Sequence, residues 1–210
     1  VAPVSLKQHY EYARVADDQT FVRAAQFLHR ELPIRLARKV RELENIPGGL
    51  AETSPIQVVH DWYVRSFTEV VNFPFPRTID DERRFNELLS RIKYRHRNQV
   101  AVMARGVQEY VNREGAIEPG SEMQEFLDGF YLSRIGIRVL LGHHAASHEQ
   151  RKGWVGIICA QTSVLDVAKD AAEHAAQICR QVFGDPPPVR FDGRMNLRFK
   201  YIPYHMHHML

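Results

Sequence analysis

Apolar residues recur every three or four positions over most of the first 150 residues. This helical period is clear in four segments, about Ser5–Val15, Asp17–Ile46, Pro55–Phe73 and Ser121–His148. Such spacing places the apolar side chains on one face and predicts amphipathic helices. Pro33 inside the second segment predicts a kink.

The longest predicted helix runs from about Asp80 to Arg113. Its apolar seam steps by three and four through Phe85, Leu89, Ile92, His96, Val100, Met103 and Val107. This pattern is typical of long helices in bundles. The third helix is expected to begin after Ser54 as the cap, with Pro55 at its first position. Long helices with short joints predict an antiparallel four-helix bundle over residues 1–150.

The pattern changes after residue 150 to short strands around one helix. The predicted elements are a strand at Val155–Cys159, a helix at Ser163–Phe183, strands at Val189–Asp192 and Leu197–Ile202 around an Asp192-Gly193 turn, and a helix from about His205. This succession begins an α/β layer without completing it. We therefore expect a mainly α protein whose second domain, residues 151–210, is the incomplete start of an α/β domain.

Composition excludes several classes of protein. The 28 Lys and Arg against 25 Asp and Glu leave a net charge of +3, and 44% of residues are hydrophobic. A chain of this kind buries a core and is not a disordered polyelectrolyte. Two cysteines, Cys159 and Cys179, exclude a disulfide scaffold and fit a reducing compartment.

Three polar residues interrupt the apolar seams. His96 replaces an apolar residue on the long helix, and Arg134 and Arg138 stand four apart in line with Phe130. His96 is expected either as a hydrogen-bonded core histidine or as a ligand-binding group. Arginines on a buried face need an anion, so the pair either meets carboxylates of neighbouring helices or holds a small carboxylate ligand.

Other chemistries have little support. His143, His144 and His148 include an i, i+4 pair, but no acidic or cysteine ligand stands at a fixed spacing beside them, so no metal site is predicted. No glycine-rich phosphate loop occurs anywhere in the chain.

Five motifs together resemble the mitochondrial protein kinases that act on pyruvate dehydrogenase and branched-chain 2-oxoacid dehydrogenase. They are Phe27–Ala37 (FLHRELPIRLA), Asp61–Ser66 (DWYVRS), Arg95-His96, Phe130–Arg138 (FYLSRIGIR) and Tyr201–Leu210 (YIPYHMHHML). The resemblance covers essentially the whole chain, in order and without large gaps.

The resemblance implies a four-helix bundle followed by an ATP-binding domain of the type shared by histidine kinases, gyrase and heat-shock chaperones. It implies a homodimeric kinase of the mitochondrial matrix that uses ATP and magnesium to phosphorylate serine in the dehydrogenase component. No membrane span is expected, because no apolar stretch approaches about 20 residues, and no nucleic-acid partner, because the charge is nearly balanced. Pyruvate dehydrogenase is the preferred substrate. Branched-chain dehydrogenase, and a non-catalytic module that docks on lipoyl domains, remain alternatives.

The family's pocket for pyruvate and halogenated acetates carries over residue by residue. It falls on Leu36, Tyr63, Ser66, Ile92, His96, Ser133, Arg134, Ile137, Arg138 and Leu141. Many animal members have arginine where this chain has Lys93, which keeps the charge but lacks the planar guanidinium.

Two further sites are implied by the resemblance. The pocket for the lipoyl group of the acyltransferase core falls on Tyr12 and Phe27, with His9 at a position that is aromatic in the family. His208 falls on the active-site histidine. The family's glutamate base, magnesium-binding asparagine and nucleotide lid have no counterpart in these residues, so the 210-residue chain alone is expected to lack kinase activity.

Overall fold

The protein is described by a computed structural model that covers residues 5–13, 17–149, 151–194 and 196–210. The side chains of residues 9, 12, 13 and 182 lie outside this description. The described chain is mainly helical, with one small antiparallel sheet. Its elements are α1 Leu6–Ala13, α2 Asp18–Glu44, α3 Ser54–Val71, α4 Ile79–Arg95, α5 Gln99–Glu114, α6 Glu122–Ser147, β1 Trp154–Val155, β2 Ile158–Ser163, α7 Val164–Val182, β3 Arg198–Tyr201 and α8 Pro203–Met209.

Two compact units divide the chain, with α2 to α6 as far as Ala145 forming the first. In this unit α2 packs on α3 and α4, and α3 also packs on α4 and α5. The amphipathic pattern accounts for this packing, because each helix turns its apolar stripe inward. Tyr63, Phe85 and Phe130 are the largest apolar side chains in the core, each at most 2% exposed. Within the described residues, no helix combines the length and apolar character needed to cross a bilayer.

Local signals explain where these helices begin. Thr78 caps α4 by accepting a hydrogen bond from the Asp81 backbone N–H, while the Asp81 carboxylate accepts one from the Thr78 N–H. The predicted cap of α3 is wrong by one residue, since Thr53 is the cap and Ser54 is already helical. Pro33 does not end α2, which continues through it to Glu44; the predicted kink stays a prediction.

The prediction of one long helix between residues 80 and 113 is wrong. The helix ends at Arg95, and residues 96–98 form a turn before α5 begins at Gln99. The backbone N–H of His96 still bonds the Ile92 carbonyl, so the turn closes α4. The apolar seam is interrupted next to the turn and resumes at Met103, which is fully buried. Gln99 becomes buried, whereas Val100, which the seam predicted inside, is 45% exposed.

The second unit comprises α1 and the chain from Ala146 onward. The sequence had placed α1 with the first domain, but in the structure Lys200 Nζ lies 4.4 Å from the centre of the Tyr10 ring. The boundary near residue 150, as a division between functional domains, stays a prediction.

The sheet of the second unit has the strand order β1-β2-β3, with both pairs antiparallel. The single strand predicted at Val155–Cys159 is wrong. Trp154 pairs with Cys159 and Val155 with Ile158 across a two-residue turn, where Gly156 has a φ of +56°. The strand predicted at Val189–Asp192 is also wrong, because these residues follow three prolines and join no strand in the described chain. The predicted strand at Leu197–Ile202 corresponds to β3.

Candidate functional site

A small cavity lies among all five helices of the first unit. Its volume is about 20 Å³, which is room for about one water molecule. Its walls are formed by Leu36, Tyr63, Ile92, Lys93, His96, Gln99, Arg134, Ile137, Arg138 and Leu141. All the residues predicted for the carboxylate pocket line it except Ser66 and Ser133.

Ser66 and Ser133 do not line the cavity, and their predicted part in the site stays a prediction. The Ser66 hydroxyl lies 2.9 Å from His96 Nε2, so it contacts a wall residue without lining the cavity itself. Ser133 donates to backbone carbonyls of its own helix, at 2.8 Å to Gly129 and 3.0 Å to Phe130. This bonding is common for serine inside a helix, and it uses the only proton that the Ser133 hydroxyl has to donate.

Tyr63, His96 and Gln99 form a buried polar group on the wall. The Tyr63 hydroxyl lies 3.2 Å from Gln99 Oε1 and 3.0 Å from Gln99 Nε2, and His96 Nδ1 lies 3.3 Å from Gln99 Oε1. Each of the three side chains is at most 8% exposed. Hydrogen bonding among them offsets the cost of removing polar atoms from water.

A second layer connects this polar group to the surface. Arg95 donates to the Ser66 hydroxyl at 2.7 Å and to both carboxylate oxygens of Glu69, at 2.8 and 2.9 Å. Ser66 also lies 2.7 Å from the Trp62 carbonyl. Nη2 contacts both Glu69 oxygens while Nη1 contacts Ser66, so the ion pair holds the guanidinium in place beside the Ser66 hydroxyl.

The charge around the cavity is positive. Among the described residues, the wall contains three cations, Lys93, Arg134 and Arg138, and no carboxylate. Burial, aided by the charges of Arg95 and Arg134 and opposed by the hydrogen bond to Gln99, lowers the pKa of His96 to about 4. Burial raises the pKa of Tyr63 to about 12. Both groups are therefore neutral at pH 7.

Gln99 is the wall residue that the sequence analysis missed. A continuous helix would have put Val100 on the buried face, and the seam therefore did not include Gln99. The signal was Asn98, a residue type that often precedes the first turn of a helix. In the structure Asn98 occupies that position before α5.

The other predicted site residues lie elsewhere. Phe27 is on α2 and 37% exposed, while the side chains of Tyr12 and His9 lie outside the described residues. His208 is exposed on α8, and its ring packs edge-on against Tyr204 at 4.7 Å. Nothing in these contacts assigns a lipoyl or catalytic role, and both stay predictions.

One of the histidines near the end of α6, His144, has a partner that the sequence did not reveal. His144 Nε2 lies 3.0 Å from Glu82 Oε1, and both side chains are at most 3% exposed. His143 is buried as well. The contact joins α6 to α4 within the first unit.

Comparisons with known proteins agree with the motifs. The family model described as mitochondrial branched-chain alpha-ketoacid dehydrogenase kinase matches residues 3–159. A mitochondrial pyruvate dehydrogenase (acetyl-transferring) kinase of Arabidopsis thaliana is 37% identical over 99% of this chain and 57% of its own length. The human mitochondrial isozyme 1 of that kinase is 32% identical over all of this chain and 51% of its own length.

The chain thus spans about half the length of the curated relatives it matches. The match nonetheless runs through both units and includes every residue of the cavity. The chain belongs to the family of mitochondrial pyruvate dehydrogenase and branched-chain 2-oxoacid dehydrogenase kinases.

Proposed function

We propose that this chain is the regulatory helical part, with the beginning of the ATP-binding part, of a protein serine kinase that inactivates pyruvate dehydrogenase. The relatives that support this are named pyruvate dehydrogenase kinases, and their names place them in mitochondria. The kinase works in the mitochondrial matrix, as a homodimer held on lipoyl domains of the acyltransferase core. The five described helices of the first unit, with α4 and α5 counted as one helix interrupted at residues 96–98, correspond to the family's four-helix bundle.

ATP and magnesium belong to this proposal only through the family. The sequence has no glycine-rich phosphate loop, and of the family's catalytic groups it carries only the histidine position, His208. These residues therefore do not make up a nucleotide site by themselves. We assign nucleotide and metal to the rest of the family's ATP-binding domain.

Regulation is the part of the function that this chain supports most directly. The observation that carries it is the cavity in which Lys93, Arg134 and Arg138 surround neutral Tyr63 and His96. A small carboxylate would meet positive charge without a competing wall carboxylate, and its carbon atoms would contact apolar walls. The cavity is the regulatory site where pyruvate-like acids act.

Calorimetry of the full-length protein with dichloroacetate tests this site. We expect Arg134→Ala to weaken binding at least tenfold, because it removes a half-buried cation from the wall. Arg134→Lys should lose less, since it keeps the charge. The control is Arg97→Ala, because Arg97 is exposed, packs on the Tyr94 ring and does not line the cavity. Equal affinity in wild type and Arg134→Ala would mean that the ligand binds elsewhere.

The substrate is decided by a separate measurement. Transfer of radiolabelled phosphate from ATP by the full-length protein is compared on purified pyruvate dehydrogenase and branched-chain dehydrogenase. We expect faster serine phosphorylation of pyruvate dehydrogenase. Faster labelling of the branched-chain enzyme would reassign the substrate, and labelling of neither would favour a non-catalytic module that docks on lipoyl domains.

A further inference from the structure

The Gln99 side chain contacts both of the other buried polar side chains on the cavity wall, Tyr63 and His96. It is 1% exposed and opens α5, and its amide is within hydrogen-bonding distance of the Tyr63 hydroxyl through both Oε1 and Nε2. The hydroxyl either donates to Oε1 or accepts from Nε2. In both cases the Tyr63 hydroxyl is already bonded to protein.

The same amide also occupies His96. With His96 neutral, Nδ1–H donates to Gln99 Oε1 across 3.3 Å. The unprotonated Nε2 lies 2.9 Å from the Ser66 hydroxyl, whose one proton serves either this nitrogen or the Trp62 carbonyl. Both ring nitrogens then have protein partners. A carboxylate that enters the cavity has to compete with Gln99 for Tyr63 and His96, while the cations on the wall remain the source of attraction.

Gln99 also limits space. The cavity of about 20 Å³ accommodates about one water, so even a two-carbon acid needs the wall to move. The other buried polar members of the wall, Tyr63 and His96, are held by rings packed 4.6 Å apart. The buried Gln99 side chain fills the space beside these rings, so its length sets the room that is left for a ligand.

We propose that Gln99 is a specificity-determining residue that restricts this cavity to the smallest monocarboxylates. Its amide competes with the ligand for Tyr63 and His96, and its length excludes acids with a branched or longer carbon chain. The proposal rests on the carboxylate site described under the proposed function, and it adds the size class of the acid.

Two substitutions separate the competition from the size limit. Gln99→Met keeps nearly the same length and removes the amide, so it frees Tyr63 and His96 without enlarging the cavity. Gln99→Val removes the amide and shortens the side chain. Gln108→Val is the matched control, because Gln108 lies on the same helix, is exposed and bonds Asn112.

Calorimetry of the full-length protein with acetate, pyruvate and 2-oxoisovalerate measures the effect. We expect wild type to prefer acetate and pyruvate to the branched acid. Gln99→Met should bind acetate more tightly with the branched acid still excluded, and Gln99→Val should improve the Kd of the branched acid at least tenfold relative to acetate. A melting curve for each variant establishes that it is folded.

Each outcome separates this inference from the function on which it rests. If wild type binds carboxylates and Gln99→Val leaves the ratio of the Kd values unchanged, Gln99 does not set specificity. If a folded wild type binds none of the three acids, and neither do the variants, both the carboxylate site and the inference fail. Tighter binding of all acids by the same factor would assign Gln99 to competition alone and refute the size limit.

Discussion

At the scale of single residues, the cavity depends on keeping His96 uncharged inside a positive environment. Lys93, Arg134 and Arg138 share the cavity wall with it, and Arg95 contacts the serine behind it. A charged imidazole there would add like charge to a group already removed from water. The neutral ring is therefore part of what makes the folded state stable.

The lowered pKa of His96 predicts a pH dependence of stability. Its folded pKa is about 4 against an ordinary value of 6.5, so the unfolded chain takes up the proton first as pH falls. The stabilisation is complete above pH 6.5 and is lost as the pH falls toward 4. We expect the free energy of unfolding to drop by about 2 kcal/mol between about pH 7 and pH 5 through this residue alone.

Urea denaturation at the two pH values, in wild type and in His96→Asn, measures this contribution. The variant should lose less stability on acidification than wild type, although it is less stable at neutral pH. His60→Asn is the control, because His60 lies toward the surface, with its side chain 29% exposed. An equal drop in wild type and His96→Asn would show that other groups cause the acid sensitivity.

How far the sequence predicts the site is also visible at this scale. The polar interruptions of the apolar seams located His96, Arg134 and Arg138, since such residues are costly on buried faces unless they are used. The burial of Gln99 was not predicted, because it depends on a turn that the apolar periodicity does not reveal. Ser133 was carried over from the family, yet its hydroxyl bonds its own helix.

At the scale of elements, the contact between α3 and α5 depends on Gly106. A Cβ atom at this position would lie 2.8 and 2.9 Å from two carbons of Ile56 and 3.0 Å from Thr53 Oγ1. Such approaches are too close, so the Ile56 side chain would have to shift or the two helices would have to move apart. Glycine is therefore required here despite its poor helix propensity.

Gly106→Ala is expected to destabilise the first unit by about 1–3 kcal/mol, because overpacking outweighs the gain of up to about 1 kcal/mol in helix propensity. Gly129→Ala is the matched control, since Gly129 lies within α6 and a Cβ atom added there would have nothing within 4 Å. That substitution should stabilise the protein slightly. Urea denaturation measures both, and a stabilised Gly106→Ala would show that α3 and α5 adjust freely.

The elements also show why local patterns succeed or fail. The starts of α4 and α6 were predictable from side chains near the helix ends. The turn at residues 96–98 was not predictable in this way. One long helix and two shorter helices joined by a turn show the same apolar spacing in the sequence. The strand expected at Val189–Asp192 had the right alternation, but a strand also needs a paired neighbour, which local pattern does not supply.

At the scale of the whole molecule, exposed apolar residues on α2 are candidate contacts for a binding partner. Phe27 is 37% exposed and Ile34, two turns later, is 44% exposed. Single exposed apolar residues are common, and it is the family resemblance that suggests an apolar lipoyl-lysine arm as the partner of Phe27.

Phe27→Leu is expected to weaken binding of the full-length protein to an isolated lipoyl domain at least fivefold, because it removes aromatic contact area while keeping an apolar side chain. Leu132→Ala is the control, since Leu132 is an exposed apolar residue on α6. Calorimetry gives the affinity, and a melting curve separates lost contact from lost stability. Unchanged affinity and an unchanged Tm would count against Phe27 as a docking residue.

The second unit is built from two segments that are far apart in the sequence, and this affects the order of folding. Tyr10 and Lys200 contact each other from opposite ends of the chain, whereas the described part of the first unit is one continuous stretch of sequence. Closing so long a loop costs more entropy than forming local helix pairs, and contacts of high sequence separation form slowly. During synthesis α1 leaves the ribosome before the helices of the first unit. Those helices can pack together before β3 has been made, so α1 docks after them.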